Sequence, residues 1–201
     1  LEFLIDWKTA VNKLIIKEIK DSVSLKSEIL ASDSLVHLIE LSAKLCISAL
    51  QAGNKIILLG NGGSAADSQH IAAELVGRYL VDRPSLPALA LTTDTSALTA
   101  IGNDYGFEDV FVRQIQGLGN TGDVLIAIST SGNSENVVKA AKEAQKMKIG
   151  VISLTGSDGG RLKNYSDIKI AIPSQSTPRI QEAHILVGHI ICYLIEKNTF
   201  T

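Results

Sequence analysis

The hydrophobic positions of this chain change period once, near residue 54. Before that point Val11, Leu14, Ile15, Ile19 and Val23 recur at helical spacing. After the cluster Ser32-Asp33-Ser34 a second stripe runs through Leu35, Leu38, Ile39, Leu41, Ala43, Leu45 and Ala49. Recurrence every three to four residues puts such side chains on one helix face, Ser and Asp supply an N-cap, and Gly53-Asn54 supplies a stop. Residues 1–53 therefore predict a helical hairpin. From Lys55 onward short apolar runs alternate with helical segments: Ile56–Leu59, Ala88–Leu91, Val124–Ile128, Val151–Leu154 and Ile168–Ile172, with a last helix from about Arg179 to Lys197. Runs that are apolar throughout, instead of at every second position, mark strands covered on both faces, and their alternation with helices marks a parallel sheet. The expectation is an α/β chain. Residues 54–201 form a three-layer, flavodoxin-like, five-stranded parallel sheet, the hairpin precedes it, and ligands sit at the carboxyl ends of the strands.

Composition narrows the function classes. The chain's 201 residues suffice for one domain with an appendage and a real core. A net charge of −2 gives no basic surplus for nucleic acid or an anionic membrane surface. No apolar run reaches the roughly 18 residues of a membrane span, and no signal-peptide pattern is visible. Cys46 and Cys192 stand in apolar helical runs with no CxxC spacing, which reads as buried free thiols in a reducing compartment. The location expected is cytoplasmic, with neither nucleic acid nor membrane as partner.

Two loops carry the chemistry. The first predicted strand runs into Gly60-Asn61-Gly62-Gly63-Ser64-Ala65-Ala66-Asp67, and the third into Ser129-Thr130-Ser131-Gly132-Asn133-Ser134. Glycines let backbone N–H groups approach an anion, a following helix adds the positive end of its dipole, and the hydroxyls of Ser129, Thr130, Ser131 and Ser134 add donors. Such loops can hold a phosphate without Lys or Arg. One alone reads equally as a Ser-capped strand-to-helix turn; two on one sheet favour the phosphate. Neither is a Walker A loop or a GxGxxG fingerprint, so no nucleotide site is implied.

Further along, His70 and Glu74 are spaced i, i+4 and share a helix face, with Asp67 and Arg78 near it. In the last helix Gln181, His184 and His189 interrupt an apolar sequence. His184 and His189 lie about 140° apart around that helix and cannot serve one small site. Gln181 and His189 lie about 80° apart and about 12 Å along the axis, so they can face one cleft. Taken singly, a His in an apolar helix is ordinarily a core imidazole, and Glu74 an ordinary solvated residue. His37 has no polar company.

The loops, together with Gly102-Asn103-Asp104-Tyr105-Gly106-Phe107, Leu154-Thr155-Gly156, Asp158-Gly159-Gly160 and Arg179-Ile180-Gln181-Glu182-Ala183-His184, resemble a sugar isomerase (SIS) domain. More narrowly the chain resembles the phosphoheptose isomerases, which interconvert sedoheptulose 7-phosphate and an aldoheptose 7-phosphate. The resemblance implies a zinc site (one Zn2+ per subunit) at His70, Glu74, Gln181 and His189, with Glu74 and His189 as base and acid. It implies substrate contacts at Asn61, Gly62, Gly63, Ser64, Arg78, Asn103, Asp104, Ser129, Thr130, Ser131, Ser134 and Gln181. It also implies a homotetramer with sites between subunits, and a first step of heptose synthesis for lipopolysaccharide or capsule. One departure stands out: where some members carry an acid before the Arg-Ile-Gln run, this chain has Pro178, so any contact of that acid is lost or falls to Thr177.

The implied reaction moves a proton between C1 and C2 next to a carbonyl. A carboxylate can remove it to give a cis-enediol, and an imidazole with an unperturbed pKa of about 6.5 suits the oxygens. A carboxylate held tightly by zinc is a poorer base, which leaves Glu74 as base, ligand or both. Two other classes compete. One is a non-catalytic SIS protein that senses a sugar phosphate or binds a partner, as does a bacterial relative that binds the replication initiator and resembles the Ala90-Leu91-Thr92-Thr93-Asp94 region. The other is an isomerase or lyase acting on a different sugar phosphate. The non-catalytic relatives lack the carboxylate and the late histidine, which this chain carries at Glu74 and His189.

Overall fold

Five short aliphatic runs build the sheet. The structure, a computed structural model, describes residues 2–200, with side chains at Trp7 and from Ala10 onward; the terminal Leu1 and Thr201 of the two predicted segments lie outside the described residues. The strands β1 (Ile56–Gly60), β2 (Ala88–Ala90), β3 (Val124–Ser129), β4 (Gly150–Thr155) and β5 (Ile168–Ala171) stand in the order β2-β1-β3-β4-β5. Every neighbouring pair is parallel. This is the flavodoxin-like order expected from the alternation of apolar runs and helices.

Successive strand residues point to opposite faces, and both faces are buried. Ile56, Leu58, Val124, Ile126, Ile128, Ile152 and Leu154 pack on one side. Ile57, Leu59, Leu125, Ala127 and Val151 pack on the other. Each fully buried Ile or Leu contributes about 2 kcal/mol, which is why the strands read as unbroken apolar runs. The helices are α1 (Glu2–Leu30), α2 (Asp33–Gln51), α3 (Gly63–Val76), α4 (Thr95–Tyr105), α5 (Val110–Leu118), α6 (Glu135–Lys146) and α7 (Thr177–Phe200). The first face is covered by α2, α3, α7 and the end of α1, the second by α5 and α6.

The helical hairpin is present, and Ser32 caps α2 by accepting the Leu35 N–H at 3.3 Å. Its first stripe behaves differently from a core stripe. Among the described side chains of α1 only Leu25 and Ile29 are buried, while Leu14, Ile15, Ile19 and Val23 are exposed, Leu14 by 63%. A helix of 29 residues spans about 44 Å, so most of α1 overhangs the sheet. Among the described residues no helix is long and apolar enough to cross a membrane. Cys46 and Cys192 are free and buried, and burial pushes both thiols up to about 12.

Two features position the site. The chain leaves β1 towards β2 on one side and reaches β3, β4 and β5 on the other, so the loops after adjacent β1 and β3 open into one crevice. Second, α3 and α7 run parallel in contact: Gly63 lies against Gln181, Ile71 against Gly188, and the loop after α3 against Glu196. A Cβ at Gly188 would run into the Ile71 side chain, so glycine sets the close approach of the two helices.

His184 on α7 is fully buried, and its Nε2–H donates to the Thr155 carbonyl at 3.1 Å. Burial pushes its pKa down to about 4, against the opposing pull of that carbonyl. The folded protein thus holds His184 neutral where an unfolded chain would bind a proton. Stability contributed by the neutral ring is complete above pH 6.5 and is lost as pH falls towards 4, a change on the order of 3 kcal/mol. Urea denaturation across that window should show this loss in the native chain and a flatter acid limb in His184→Gln.

Candidate active site

The loop after β1 turns at Gly62, whose φ of +53° lies in the left-handed region, and enters α3 at Gly63 with Ser64 buried in the first turn. In the loop after β3, the hydroxyls of Ser129 and Ser134 are 3.1 Å apart. Ser131 Oγ accepts the Asn133 N–H at 3.1 Å. The two loops are tied together by a reciprocal amide pair: Asn61 Nδ2 donates to Asn136 Oδ1 at 2.9 Å, and Asn136 Nδ2 to Asn61 Oδ1 at 3.0 Å. A third loop, after β4, closes on the second. Gly132, at φ +63°, packs against the Gly159–Gly160 backbone, where a Cβ would collide. That contact accounts for the Asp158-Gly159-Gly160 motif. Beside it a cavity of about 340 Å³ is lined by Thr130, Ser131, Ser174, Gln175 and Thr177, the last being the neighbour of Pro178.

Two turns into α3 the polar constellation assembles. His70 Nε2 lies 2.8 Å from His189 Nε2 on α7 and 3.4 Å from Glu74 Oε1. The donor atoms of the three residues all lie within 4.8 Å of one another. The two rings meet edge to face, with centroids 5.0 Å apart. Asp67, one turn earlier on the same face, has a buried Oδ2 with no protein partner. Burial raises its carboxyl above the usual range, while His70 and His189 pull the other way. Two imidazole nitrogens, a carboxylate and an unpartnered buried oxygen beside them form a mixed N/O set that fits a divalent cation of borderline hardness. His70, Glu74 and His189 would hold it.

The other residues singled out in the sequence are distributed unevenly. Gln181 lies against Gly63 at the N-terminal end of α3, eight residues and about 12 Å of helix rise from His189. Arg78 is exposed on the loop after α3. Asn103 and Asp104 are exposed on the last turn of α4, where Asn103 Nδ2 donates to Asp104 Oδ1 at 2.8 Å. That helix packs on α5, on the other side of the sheet from α7. One subunit therefore brings together His70, Glu74 and His189, and separately Asn61, Ser64, Ser129, Thr130, Ser131 and Ser134.

Sequence reasoning missed Asn136, Tyr79, Arg83 and Glu196. The Tyr79 ring stacks on His189 with centroids 5.6 Å apart and planes at 30°. Glu196 is 2% exposed. Burial alone would raise its carboxyl, but the N–H groups of Leu80, Tyr79 and Val81 and the Arg83 guanidinium hold it below the usual range. The available signal was periodicity, since Glu196 falls two turns after His189 on the apolar face of the last helix.

Comparison with known proteins places this geometry. The SIS domain family matches residues 19–156. A phosphoheptose isomerase of Sulfurimonas denitrificans is 55% identical over 190 residues, covering 94% of this chain and 97% of the relative. Among solved structures, phosphoheptose isomerase GmhA of Neisseria gonorrhoeae superposes with a TM-score of 0.87 at 45% identity, covering 93% of this chain and 99% of the other. A phosphoheptose isomerase of Francisella tularensis gives 0.88 at 39% identity, over 92% and 97%.

The amide pair between the loops makes its own prediction. Asn136→Ala leaves the Asn61 amide and the Val137 N–H without their partner, at a cost of about 2 kcal/mol. Urea denaturation should show that loss, and titration with inorganic phosphate should show weaker binding than in the native chain.

Proposed function

The chain belongs to the SIS domain family and, within it, to the phosphoheptose isomerases, and on that premise we propose that it is an aldose–ketose isomerase converting sedoheptulose 7-phosphate to D-glycero-D-manno-heptose 7-phosphate. The observation that carries the reading is the meeting of Glu74 and His189, from two different helices, in one polar cluster at the end of a helix that begins in a phosphate loop. A bare SIS fold needs no such pair. From Ser64 to Glu74 the helix rises about 15 Å, a separation that suits a long sugar held by its phosphate at one end and worked on at the other. The loops anchor and orient the substrate, which converts binding into alignment of C1 and C2.

In the ketose-to-aldose direction Glu74 takes the proton from C1. The C–H pair becomes the C1–C2 double bond, and the carbonyl pair moves to O2, which takes a proton. His189 serves the oxygens, giving a proton at O2 and receiving one from O1. As the O1 pair closes the new carbonyl, C2 takes up the proton that Glu74 holds. We assign the cation position to Zn2+, one per subunit, held by His70, Glu74 and His189, with Gln181 as a further ligand that reaches it from about 12 Å along the helix with its side chain extended or from a neighbouring copy; when bound it would polarise the sugar oxygens as a Lewis acid.

Self-association belongs to the same reading. The exposed stripe of α1 and an apolar groove of about 530 Å³ lined by Ile29, Leu30, Val36, Ile39, Leu186 and Ile190 suit burial against further copies in a homotetramer. A neighbouring copy would also bring Arg78, Asn103 and Asp104 to a site that one subunit leaves without them. The product serves heptose synthesis for lipopolysaccharide or capsule, in the cytoplasm.

Incubation with sedoheptulose 7-phosphate, followed by NMR, should show the aldose form. No conversion with or without added Zn2+ would remove the isomerase reading. Glu74→Gln should lower kcat by at least about a thousandfold, within the range of general-base loss, while the substrate still binds. Calorimetric titration should find one Zn2+ site per subunit that His70→Ala weakens; unchanged affinity in that variant would displace the assigned metal position.

A further inference from the structure

The reacting pair sits on two helices, so its geometry depends on whatever fixes those helices and the loop between them. The strongest polar contacts there lie outside the site. Arg83 and Glu196 form an ion pair at 3.0 Å with side chains 1% and 2% exposed. Arg83 Nη2 donates to the Glu74 carbonyl at 2.8 Å, and Nη1 donates to the Leu75 carbonyl at 2.8 Å. These are carbonyls at the end of α3 that the helix itself leaves free, and a cation is favoured there. Glu196 accepts the backbone N–H groups of Tyr79, Leu80 and Val81 at 2.7, 2.8 and 3.1 Å. It thereby fixes the residue whose ring stacks on His189. Glu196 and His189 are seven residues apart, on one face of α7.

We propose that the buried Arg83–Glu196 pair, acting through the Tyr79 ring, is a positioning device that holds Glu74 and His189 in register; this rests on the isomerase reading above. The contacts close a circuit. The end of α3 is bound to Arg83, Arg83 to Glu196, and Glu196 to α7, which carries His189. His189 meets Tyr79, whose backbone returns to Glu196. Neither charged residue touches the reacting atoms. A buried ion pair is a poor source of stability, since apolar side chains of the same volume do as well or better. What it supplies here is direction: a guanidinium aimed at helix-end carbonyls and a carboxylate aimed at three consecutive N–H groups. Small displacements of reacting groups cost rate far more than binding, so the signature of this device is in kcat and not in KM.

The test uses the full-length protein and two readouts: steady-state kinetics with sedoheptulose 7-phosphate, and the NMR shift of the His189 Hε1 proton, which the Tyr79 ring current displaces. Tyr79→Leu should lower kcat at least about tenfold with KM within about twofold and move the His189 resonance. Tyr79→Phe, which keeps the ring, should restore both. Glu196→Gln, the same shape without the charge, should reproduce the Tyr79→Leu pattern; should it fail to fold, Tyr79→Leu decides alone. A native-like kcat or an unmoved His189 resonance in Tyr79→Leu overturns the proposal, as does either result in folded Glu196→Gln. If the native chain turns over no substrate, the isomerase reading falls, and the His189 resonance by itself then judges the positioning.

Discussion

The close parallel packing of α3 on α7 is the contact on which the site depends. It is set by an absence, that of a side chain at Gly188, which lets Ile71 press against the α7 backbone. With the helices at that distance, residues at matching heights meet in pairs: Gly63 with Gln181, His70 with His189, and the loop after Val76 with Glu196. Parallel helices keep the same residue order along their lengths, so the pairing runs from the loop after β1 outward without crossing. A larger residue at position 188 would separate the two imidazoles and would also loosen the contacts at both ends.

The sheet and the helices divide the labour. The carboxyl ends of β1 and β3 present the serine and glycine loops at the point where the chain's direction of winding reverses, and the Asn61–Asn136 pair locks those loops to each other. That part of the site is built at the ends of two strands that are buried throughout. The groups assigned to proton handling ride on α3 and α7, which are also tied by the buried Arg83–Glu196 contacts. The loops and the helix-borne groups are therefore adjustable separately.

What the sequence disclosed follows from how local each signal was. The strands were legible because both-face burial forces unbroken aliphatic runs such as Ile56–Leu59. The loops were legible because glycine and serine carry their function in place, and the His70–Glu74 pair because one helix turn fixes it. Asn136 was not legible, since nothing in its neighbourhood distinguishes an amide that pairs across two loops from a solvated one. Arg83 and Glu196 are 113 residues apart, and their pairing is a property of tertiary structure alone. Asn103 and Asp104 show the reverse case: a recognisable motif that the subunit holds away from the histidines. The α1 stripe was correctly helical in period, but period does not say what covers a face, and here the subunit's own sheet does not.

The polar residues of α7 answer their burial in different ways. An apolar helix that buries polar side chains incurs a desolvation cost unless each finds a partner. Glu196 finds three N–H groups and a guanidinium, and its charge is fully answered. His184 finds a carbonyl and is held neutral by burial. Gln181 lies over the glycine backbone at the start of α3. His189 alone meets a second imidazole, a carboxylate nearby and a stacked ring. Half-buried, unlike His184 and Glu196, it stands where the helix pair has brought Glu74.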